Sequence, residues 1–258
     1  MKKIISILIS LLFVGSTFGV ASILGTTGGP DVFGYTYDDT VPYQWIDIST
    51  TGTDAGLNCD DCGTIVPIGF DFKFYGNTYN QVSIVSNGYL QFGDTSTTFS
   101  NSDIPSTNDP ENISCVFWDD LDPRSEYTPG KIYYQAFPNK FIVQWDKIAH
   151  FSDKSARMTF QVILYRNSNA IKFQYKEMKN GAGKYADGRS ATVGIENSDG
   201  TDGLKYYFGN TTNDPAGPIK NGLAIGFRYP GTNPSWYEVK QLPMEQILKI
   251  VKGNQDKE

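Results

Sequence analysis

Three aspartates follow directly on an apolar run and could supply oxygen ligands to a cation. Asp119, Asp120 and Asp122 come after a strand predicted over residues 113–118, and Pro123 follows them. Calcium takes about six to eight oxygen ligands, so these side chains form a candidate calcium site. Alternatively, the carboxylates accept hydrogen bonds from nearby backbone N–H groups and fix a corner of the chain. The residue types leave both interpretations open.

Two cysteines, Cys59 and Cys62, form a Cys-x-x-Cys pair in a polar loop. Redox pairs of this kind lie where a strand enters a helix, whose N-terminus favours the thiolate. Here two aspartates separate the sulfurs and disfavour it, so we expect a small structural disulfide. A zinc site would need further ligands, and the chain offers only Cys115 and His150. Cys115 lies on an apolar strand face, where we expect a buried free thiol.

The single histidine, His150, would have to take part in any Ser-His-Asp or Cys-His catalysis. It follows the strand predicted over 141–145, and no Gly-x-Ser-x-Gly motif is present. We therefore assign no catalytic residue and no cofactor apart from the candidate calcium ion, and we predict that the protein is not an enzyme. Hydrolysis by a carboxylate pair stays open, because the separation of two carboxylates is a three-dimensional quantity.

The clearest structural element is a β-hairpin over residues 157–176. Apolar and polar residues alternate on both sides of the short polar break Asn167-Ser168-Asn169, which is typical of two antiparallel strands and a turn. The first strand is apolar on both faces at Val162-Ile163-Leu164, so we expect it at the centre of its sheet. The second strand has one apolar face, and Lys172 and Gln174 predict that its other face is solvated.

About a dozen such strands follow one another between turns, and no helix is predicted among them. The early ones include 33–37 and 43–48. The sequence therefore predicts an all-β fold, a two-sheet antiparallel β-sandwich resembling a jelly roll. We assign a signal peptide to 1–21, a flexible lead-in to 22–32, one domain to 33–232 and a tail to 233–258. Four apolar residues of the tail lie on one face of a short amphipathic helix that we predict there: Met244, Ile247, Leu248 and Val251.

The N-terminus indicates the compartment. Lys2 and Lys3 precede an apolar run that is too short to span a bilayer, and small residues follow up to Ala21. We expect a secreted or cell-surface protein with no transmembrane segment in the mature chain. The formal net charge is −6, and the basic residues are scattered. Such a surface repels phosphate backbones, so we expect no nucleic-acid partner.

Short motifs of strand and turn also occur in a characteristic order. They are FYG (74–76), SNGYLQFG (86–93), ISCVFWDDLD (113–122), GKIYY (130–134), TFQVILY (159–165), IKFQY (171–175) and ATVGIE (191–196). This succession resembles the nidogen-like extracellular module of secreted bacterial and archaeal proteins, over most of residues 28–228. The resemblance implies a β-rich module of matrix and adhesive proteins without known catalysis. At Cys115-Val116 the chain departs from the small residue and proline that such modules commonly carry.

These observations favour a non-catalytic module with an adhesive, matrix or structural binding role. Its partner would be an extracellular protein, a glycan or another copy of the chain. The alternative is a carbohydrate-binding module, with or without calcium, that uses a platform of aromatic side chains. A hydrolase and a filament subunit are the remaining hypotheses. The candidate platform residues are Tyr35, Tyr37, Tyr43, Trp45, Tyr133, Tyr206 and Tyr207.

Overall fold

A computed structural model describes residues 25–108, 110–124, 129–180, 185–209 and 218–236. The predicted signal peptide and the predicted C-terminal helix lie outside these residues. Within them the chain forms short and long β-strands. In chain order they are β1 (Thr27–Gly28), β2 (Thr36–Asp38), β3 (Thr53–Asp54), β4 (Gly63–Phe74), β5 (Asn77–Val85), β6 (Tyr89–Gln91), β7 (Ile113–Trp118), β8 (Leu121–Asp122), β9 (Lys131–Phe137), β10 (Lys140–His150), β11 (Asp153–Tyr165), β12 (Ile171–Asn180), β13 (Thr192–Glu196), β14 (Gly203–Phe208) and β15 (Leu223–Arg228).

The strands form two antiparallel sheets. The larger, nine-stranded sheet has the order β1-β2-β15-β12-β11-β10-β9-β3, and β8 pairs with β10 beside this path. The smaller, six-stranded sheet has the order β14-β13-β7-β6-β5-β4. The predicted all-β, two-sheet antiparallel sandwich is confirmed. Among the described residues, no helix has the length and apolar character needed to cross a bilayer.

The predicted hairpin is the β11–β12 pair at the middle of the larger sheet. Phe160 is paired with Tyr175 and Val162 with Phe173, so these apolar side chains share one face. They belong to a single core that also contains Phe72 and other inward-facing residues of the smaller sheet. Since β11 lies between β10 and β12, its predicted central position is confirmed.

The outer face of the larger sheet carries a row of buried glutamines. Gln144, Gln161 and Gln174 are cross-strand neighbours on β10, β11 and β12, and each side chain is fully buried. Their amides bind the backbone of residues 41–48, which we call the first strap. Gln174 accepts from the N–H of Gln44 at 2.6 Å and donates to its carbonyl at 2.8 Å. Gln144 accepts from the N–H of Ile48 at 3.0 Å.

The prediction of a strand over 43–48 is therefore wrong. The segment is extended, but it crosses the face of the sheet, and its backbone pairs with glutamine side chains instead of a neighbouring strand. The prediction that Lys172 and Gln174 face solvent is also wrong, because Lys172 is only 2% exposed and Gln174 is fully buried. Burial lowers the pKa of Lys172 to about 8, and the nearby positive charge of Lys140 contributes to this shift.

A second strap, residues 95–107, covers the outer face of the smaller sheet in the same way. Buried side chains of that sheet again bind its backbone: Tyr89 Oη donates to the Ser96 carbonyl at 2.9 Å, and Trp118 Nε1 donates to the Thr98 carbonyl at 3.0 Å. Near the end of the strap, the Ser106 N–H donates to Glu196 Oε2 at 2.6 Å. Irregular chain thus crosses the outer face of the central strands of both sheets.

The Glu196 carboxyl holds the second strap from a fully buried position. Its Oε1 atom has no hydrogen-bond partner among the described residues. Burial raises the pKa of Glu196 to about 8; the hydrogen bond from Ser106 opposes this rise and the charge of Glu111 adds to it. At neutral pH the folded protein therefore holds a proton on Glu196 that the unfolded chain has lost.

The first prediction concerns the glutamine row. We expect Gln144→Leu to lower the free energy of unfolding by about 1–3 kcal/mol, because the buried N–H of Ile48 loses its acceptor. Gln161→Leu is the matched control, since among the described residues the Oε1 of Gln161 has no partner and its Nε2 donates one long bond, 3.3 Å, to the Ile46 carbonyl. Urea unfolding measures both variants. Equal losses for the two would contradict this role of Gln144.

The second prediction concerns pH. The stability contribution of Glu196 is complete below about pH 4.5, its ordinary pKa, and is lost as the pH rises towards about 8. Glu196→Gln mimics the protonated carboxyl, so we expect the variant not to lose these up to a few kcal/mol of unfolding free energy as the pH rises. Unfolding curves measured between pH 5 and 9 would show this difference in pH dependence. Asp71→Asn, at an exposed carboxyl, is the control, and a Glu196→Gln variant that keeps the wild-type slope would refute the assignment.

Candidate functional site

Several loops meet at one end of the sandwich, around the side chain of Asn87 in the β5–β6 turn. Asn87 is fully buried, and its Nδ2 donates to Asp61 Oδ1 at 2.8 Å and to the Thr97 carbonyl at 3.1 Å. Its Oδ1 accepts from the N–H of Leu121 at 2.9 Å. One amide thus connects three loops. We call this region the loop end and define it as residues 58–62, 94–99, 119–124 and 150–153.

The disulfide loop forms one side of the loop end. Cys59 and Cys62 are joined as predicted, and Cys115 is a buried free thiol. The loop is fixed against the β5–β6 turn: Cys62 N–H donates to Ser86 Oγ at 3.0 Å, and Ser86 N–H donates to the Cys62 carbonyl at 2.8 Å. Ser86 Oγ also donates to the Asp60 carbonyl. The disulfide therefore holds two aspartates at a defined place.

The three aspartates of the predicted calcium site point to three different sets of partners. Asp119 is buried, and its Oδ2 accepts from Ser190 Oγ at 2.6 Å. Asp122 accepts from Arg124 Nε at 2.9 Å and from Lys154 Nζ at 2.5 Å. Burial raises the pKa of Asp122, but these two cations outweigh it and hold the pKa at about 2. Asp119 Oδ1 also accepts from the N–H of Asp120 at 3.0 Å, and Asp122 Oδ1 accepts from the N–H of Arg124 at 2.9 Å, which are backbone contacts of the kind that the alternative interpretation expects. Calcium binding by these three residues stays a prediction.

Asp120 instead joins the two aspartates of the disulfide loop. Asp60, Asp61 and Asp120 each offer a carboxylate oxygen within 4.8 Å of the other two, and we call them the carboxylate cluster. Partial burial raises the pKa of Asp120 to about 6; His150 opposes this rise, and the charges of Asp60 and Asp61 add to it. Arg124 Nη2 contacts Asp60 Oδ2 at 2.8 Å and offsets part of the repulsion. Such oxygens suit a hard cation such as calcium.

His150 lies behind this cluster and has both ring nitrogens engaged. Nδ1 accepts from the N–H of Ser152 at 3.0 Å, so the proton is on Nε2, which lies 3.3 Å from Asp119 Oδ1. The ring is 4% exposed and stacks on Tyr185 at 3.7 Å between centroids. Ser190 donates to the aspartate and not to the histidine. This arrangement provides no free imidazole lone pair to activate a nucleophile.

Two exposed phenyl rings belong to the loop end. Phe151 is 45% exposed, and its N–H donates to the Asp120 carbonyl at 2.8 Å. Lys154 Nζ lies 4.4 Å from the centre of its ring. Phe99 is 49% exposed and directly follows Thr98, whose carbonyl is held by Trp118. Both rings are therefore carried by backbone that is fixed to the sandwich.

The residues of the predicted aromatic platform are dispersed. Tyr35 is fully buried in the core. Tyr43 and Trp45 lie side by side on the first strap, with ring planes 22° apart, and both are half-buried. Tyr206 Oη contacts Asp39 Oδ2 at 3.0 Å. The half-buried Tyr133 lies on β9, and Tyr37 on β2 contacts Tyr206 with ring centroids 5.3 Å apart.

Comparison with known proteins decides the family. A family model described as NIDO related, for nidogen-related domains, matches residues 34–226. The chain belongs to this nidogen-related family. No curated protein and no solved structure matches it. Nidogen-related domains are of the extracellular type, and this chain is accordingly an extracellular-type β-sandwich module.

The nidogen-related sandwich also contains features of the candidate site that sequence reasoning missed. The sequence identifies Asn87 only as part of an Asn-Gly turn, which gives no sign that its amide connects three loops. The link between Asp120 and the disulfide loop joins residues about sixty positions apart. The run of Asp60 and Asp61 between cysteines is visible in the sequence, but its partner is not, since only the packing of turns brings them together.

Proposed function

We propose that this nidogen-related module is a non-catalytic adhesive or structural protein that binds an extracellular protein through its loop end. The observation that supports this most directly is that two phenyl rings of the loop end, Phe99 and Phe151, are exposed on anchored backbone, and Lys154 lies against the ring of Phe151. Exposed aromatic side chains with a polar rim are typical of protein interfaces, and aromatic residues supply much of their binding energy.

The carboxylate cluster adds specificity to this surface. Asp60, Asp61 and Asp120 concentrate negative charge next to Phe151, so a partner with basic residues around an apolar contact would be favoured. The engaged nitrogens of His150 support a role without catalysis, since general-base chemistry needs a free lone pair. A hydrolytic activity that disappears in His150→Ala would overturn this part of the proposal.

The experiment measures adhesion of the mature protein to surface proteins of its source, before and after protease treatment of that surface. We expect Phe99→Ser with Phe151→Ser to weaken binding by about tenfold or more, because both rings lose their apolar contact. Val32→Ser with Ile65→Ser is the matched control, since these exposed residues lie outside the loop end. Equal effects of the two double variants, or unchanged binding after protease treatment, would refute a protein partner at the loop end.

Calcium-dependent glycan binding is the second candidate function, and the observation that favours it is the carboxylate cluster. Calcium sites of extracellular modules bind with dissociation constants of about 0.1–1 mM. A calcium ion at the cluster would share Asp60 with Arg124 and would relieve the repulsion from Asp60 and Asp61, which adds to the effect of burial on the pKa of Asp120. The cluster, and not the predicted set Asp119, Asp120 and Asp122, is where such an ion would bind.

We expect millimolar calcium to raise the melting temperature of the mature protein and to bind in isothermal titration calorimetry, because binding to the folded state alone stabilises it. Asp61→Asn should abolish both effects, and Asp94→Asn, at an exposed carboxyl, should leave them intact. Absence of both effects in the unmodified protein would rule out the ion. A glycan array with and without chelator then tests the sugar, and no binding in either condition would dismiss the second function.

A further inference from the structure

Lys172 is a buried cation on the outer face of the larger sheet, outside the loop end. Its cross-strand neighbours are Ile163 on β11 and Gly226 on β15, and only 2% of the residue is exposed. Among the described residues, no oxygen accepts a hydrogen bond from its Nζ and no carboxylate pairs with it. Buried charges in proteins are normally paired, so the unpaired amine of Lys172 calls for a physical explanation.

The amine lies in an apolar and aromatic environment. Its Nζ is 6.0 Å from the centre of the Trp236 ring, which is fixed by an edge contact with Tyr165 at 5.0 Å between centroids. Glycine at position 226 permits this packing, because a Cβ there would lie 2.9 Å from Trp236 Nε1 and 3.0 Å from Val41 Cγ1. Only a small reagent can therefore reach the amine without displacing these side chains.

Hydrogen-bond donors and positive charge surround the amine, and acceptors are missing. The indole N–H of Trp236 has no acceptor among the described residues, although Trp236 is only 7% exposed. Lys140 is paired with Tyr165 across β10 and β11, so its side chain projects from the same face, and its positive charge acts on Lys172. An attached group with negatively charged oxygens would provide the missing acceptor and an opposite charge.

The environment also makes the amine nucleophilic. Burial, together with the charge of Lys140, lowers the pKa of Lys172 to about 8. At pH 8 about half of Lys172 is therefore neutral, against about 0.4% of a lysine with the ordinary pKa of about 10.4. The neutral amine is the form that carries a lone pair and attacks electrophiles.

We propose that Lys172 is a site of reversible covalent modification by carbon dioxide, which converts its amine into a carbamate. The nitrogen lone pair forms the new N–C bond, one C=O π pair of CO2 moves onto oxygen, and one proton leaves the nitrogen for the solvent. The products are thus a carbamate anion and one proton, and the reaction needs no leaving group, oxidant or reductant. Carbon dioxide is small and uncharged, as the enclosed position of the amine requires.

The carbamate supplies both features that the site lacks. Its negative charge replaces the repulsion between Lys172 and Lys140 by attraction, and its oxygens can accept from the indole N–H of Trp236. An aldehyde is a less suitable electrophile, because the imine that it forms carries no anionic oxygen and its carbon chain needs more space in a packed layer. The structure therefore favours CO2 over a carbonyl compound.

The other titratable groups of this face do not set the pH dependence of the reaction. Asp38 and Arg228, on β2 and β15, are engaged in contacts of their own, and their charges have no part in the proposal. Burial raises the pKa values of Tyr43 and Tyr165, so both phenols stay neutral. At a fixed pressure of CO2, carbamate formation should therefore increase as the pH rises through the pKa of the amine, from about 7 to about 9.

Carbon-13 NMR of the full mature protein, equilibrated with labelled CO2 at fixed pressure, tests the proposal. The α-amino group has an ordinary pKa of about 8 and gives one carbamate signal of its own. We expect a second signal that grows over the same pH range and is absent in Lys172→Gln. Lys205→Gln, at an exposed lysine, should retain it. Lys140→Gln and Trp236→Phe should each weaken it severalfold, because the carbamate loses an opposite charge or a donor.

Two results would overturn the proposal: a spectrum with the α-amino signal alone, and a second signal that persists in folded Lys172→Gln. If Lys172→Gln does not fold, equal second signals in the wild-type protein, Lys140→Gln and Trp236→Phe would overturn it, since the carbamate would then lie elsewhere. The Phe99→Ser, Phe151→Ser double variant should keep the second signal, so failure of the loop-end proposal would not be confused with failure of this one.

Discussion

The hydrogen bonds between buried side chains of each sheet and the backbone of a strap are the interaction on which the architecture depends. A two-sheet sandwich has two outer faces, and in this protein a segment that forms no strand crosses the central strands of each. Buried backbone N–H and C=O groups must find partners, and an irregular segment lying across a sheet has no neighbouring strand to provide them. Gln144 and Gln174 supply them on the larger sheet, and Tyr89, Trp118 and Glu196 supply them on the smaller one.

The second strap, held by these hydrogen bonds, also forms part of the loop end. The second strap passes from its anchor at Tyr89 to Thr97, where Asn87 binds its carbonyl, and then to Phe99. Asn87 in turn joins the strap to the disulfide loop and to the turn that carries Asp120. The buried polar contacts of the smaller sheet therefore determine where the exposed groups of the loop end lie. A substitution beneath the strap can displace Phe99 without touching it.

Sequence periodicity was sufficient for the core and insufficient for the outer layers. Alternation over 157–176 identified the hairpin and its inward-facing residues, because an apolar face must be buried. It also showed that Lys172 and Gln174 share the opposite face, but polarity does not reveal whether that face is covered. Tyr43–Ile48 has the alternation of a strand, and only its path across the sheet separates it from one. Asp119, Asp120 and Asp122 follow a strand as expected, yet consecutive residues point in different directions, and their partners come from distant turns.

The rigidity of the loop end bears on how it would bind a partner. Ordering flexible side chains and loops during association costs about 0.5–1.5 kcal/mol for each long side chain, which reduces the affinity that the contacts provide. Phe151 is held by the backbone bond to Asp120, and Phe99 follows a backbone carbonyl fixed by Trp118. Both rings are therefore presented with little backbone freedom to lose. The repulsion within the carboxylate cluster also favours binding. A basic group of a partner would lower the pKa of Asp120 and would add an attraction to the carboxylates that the free protein lacks. In the binding role proposed for the loop end, an apolar anchor that is already ordered, next to negative charge that is only partly compensated, would gain its remaining favourable contacts from the partner.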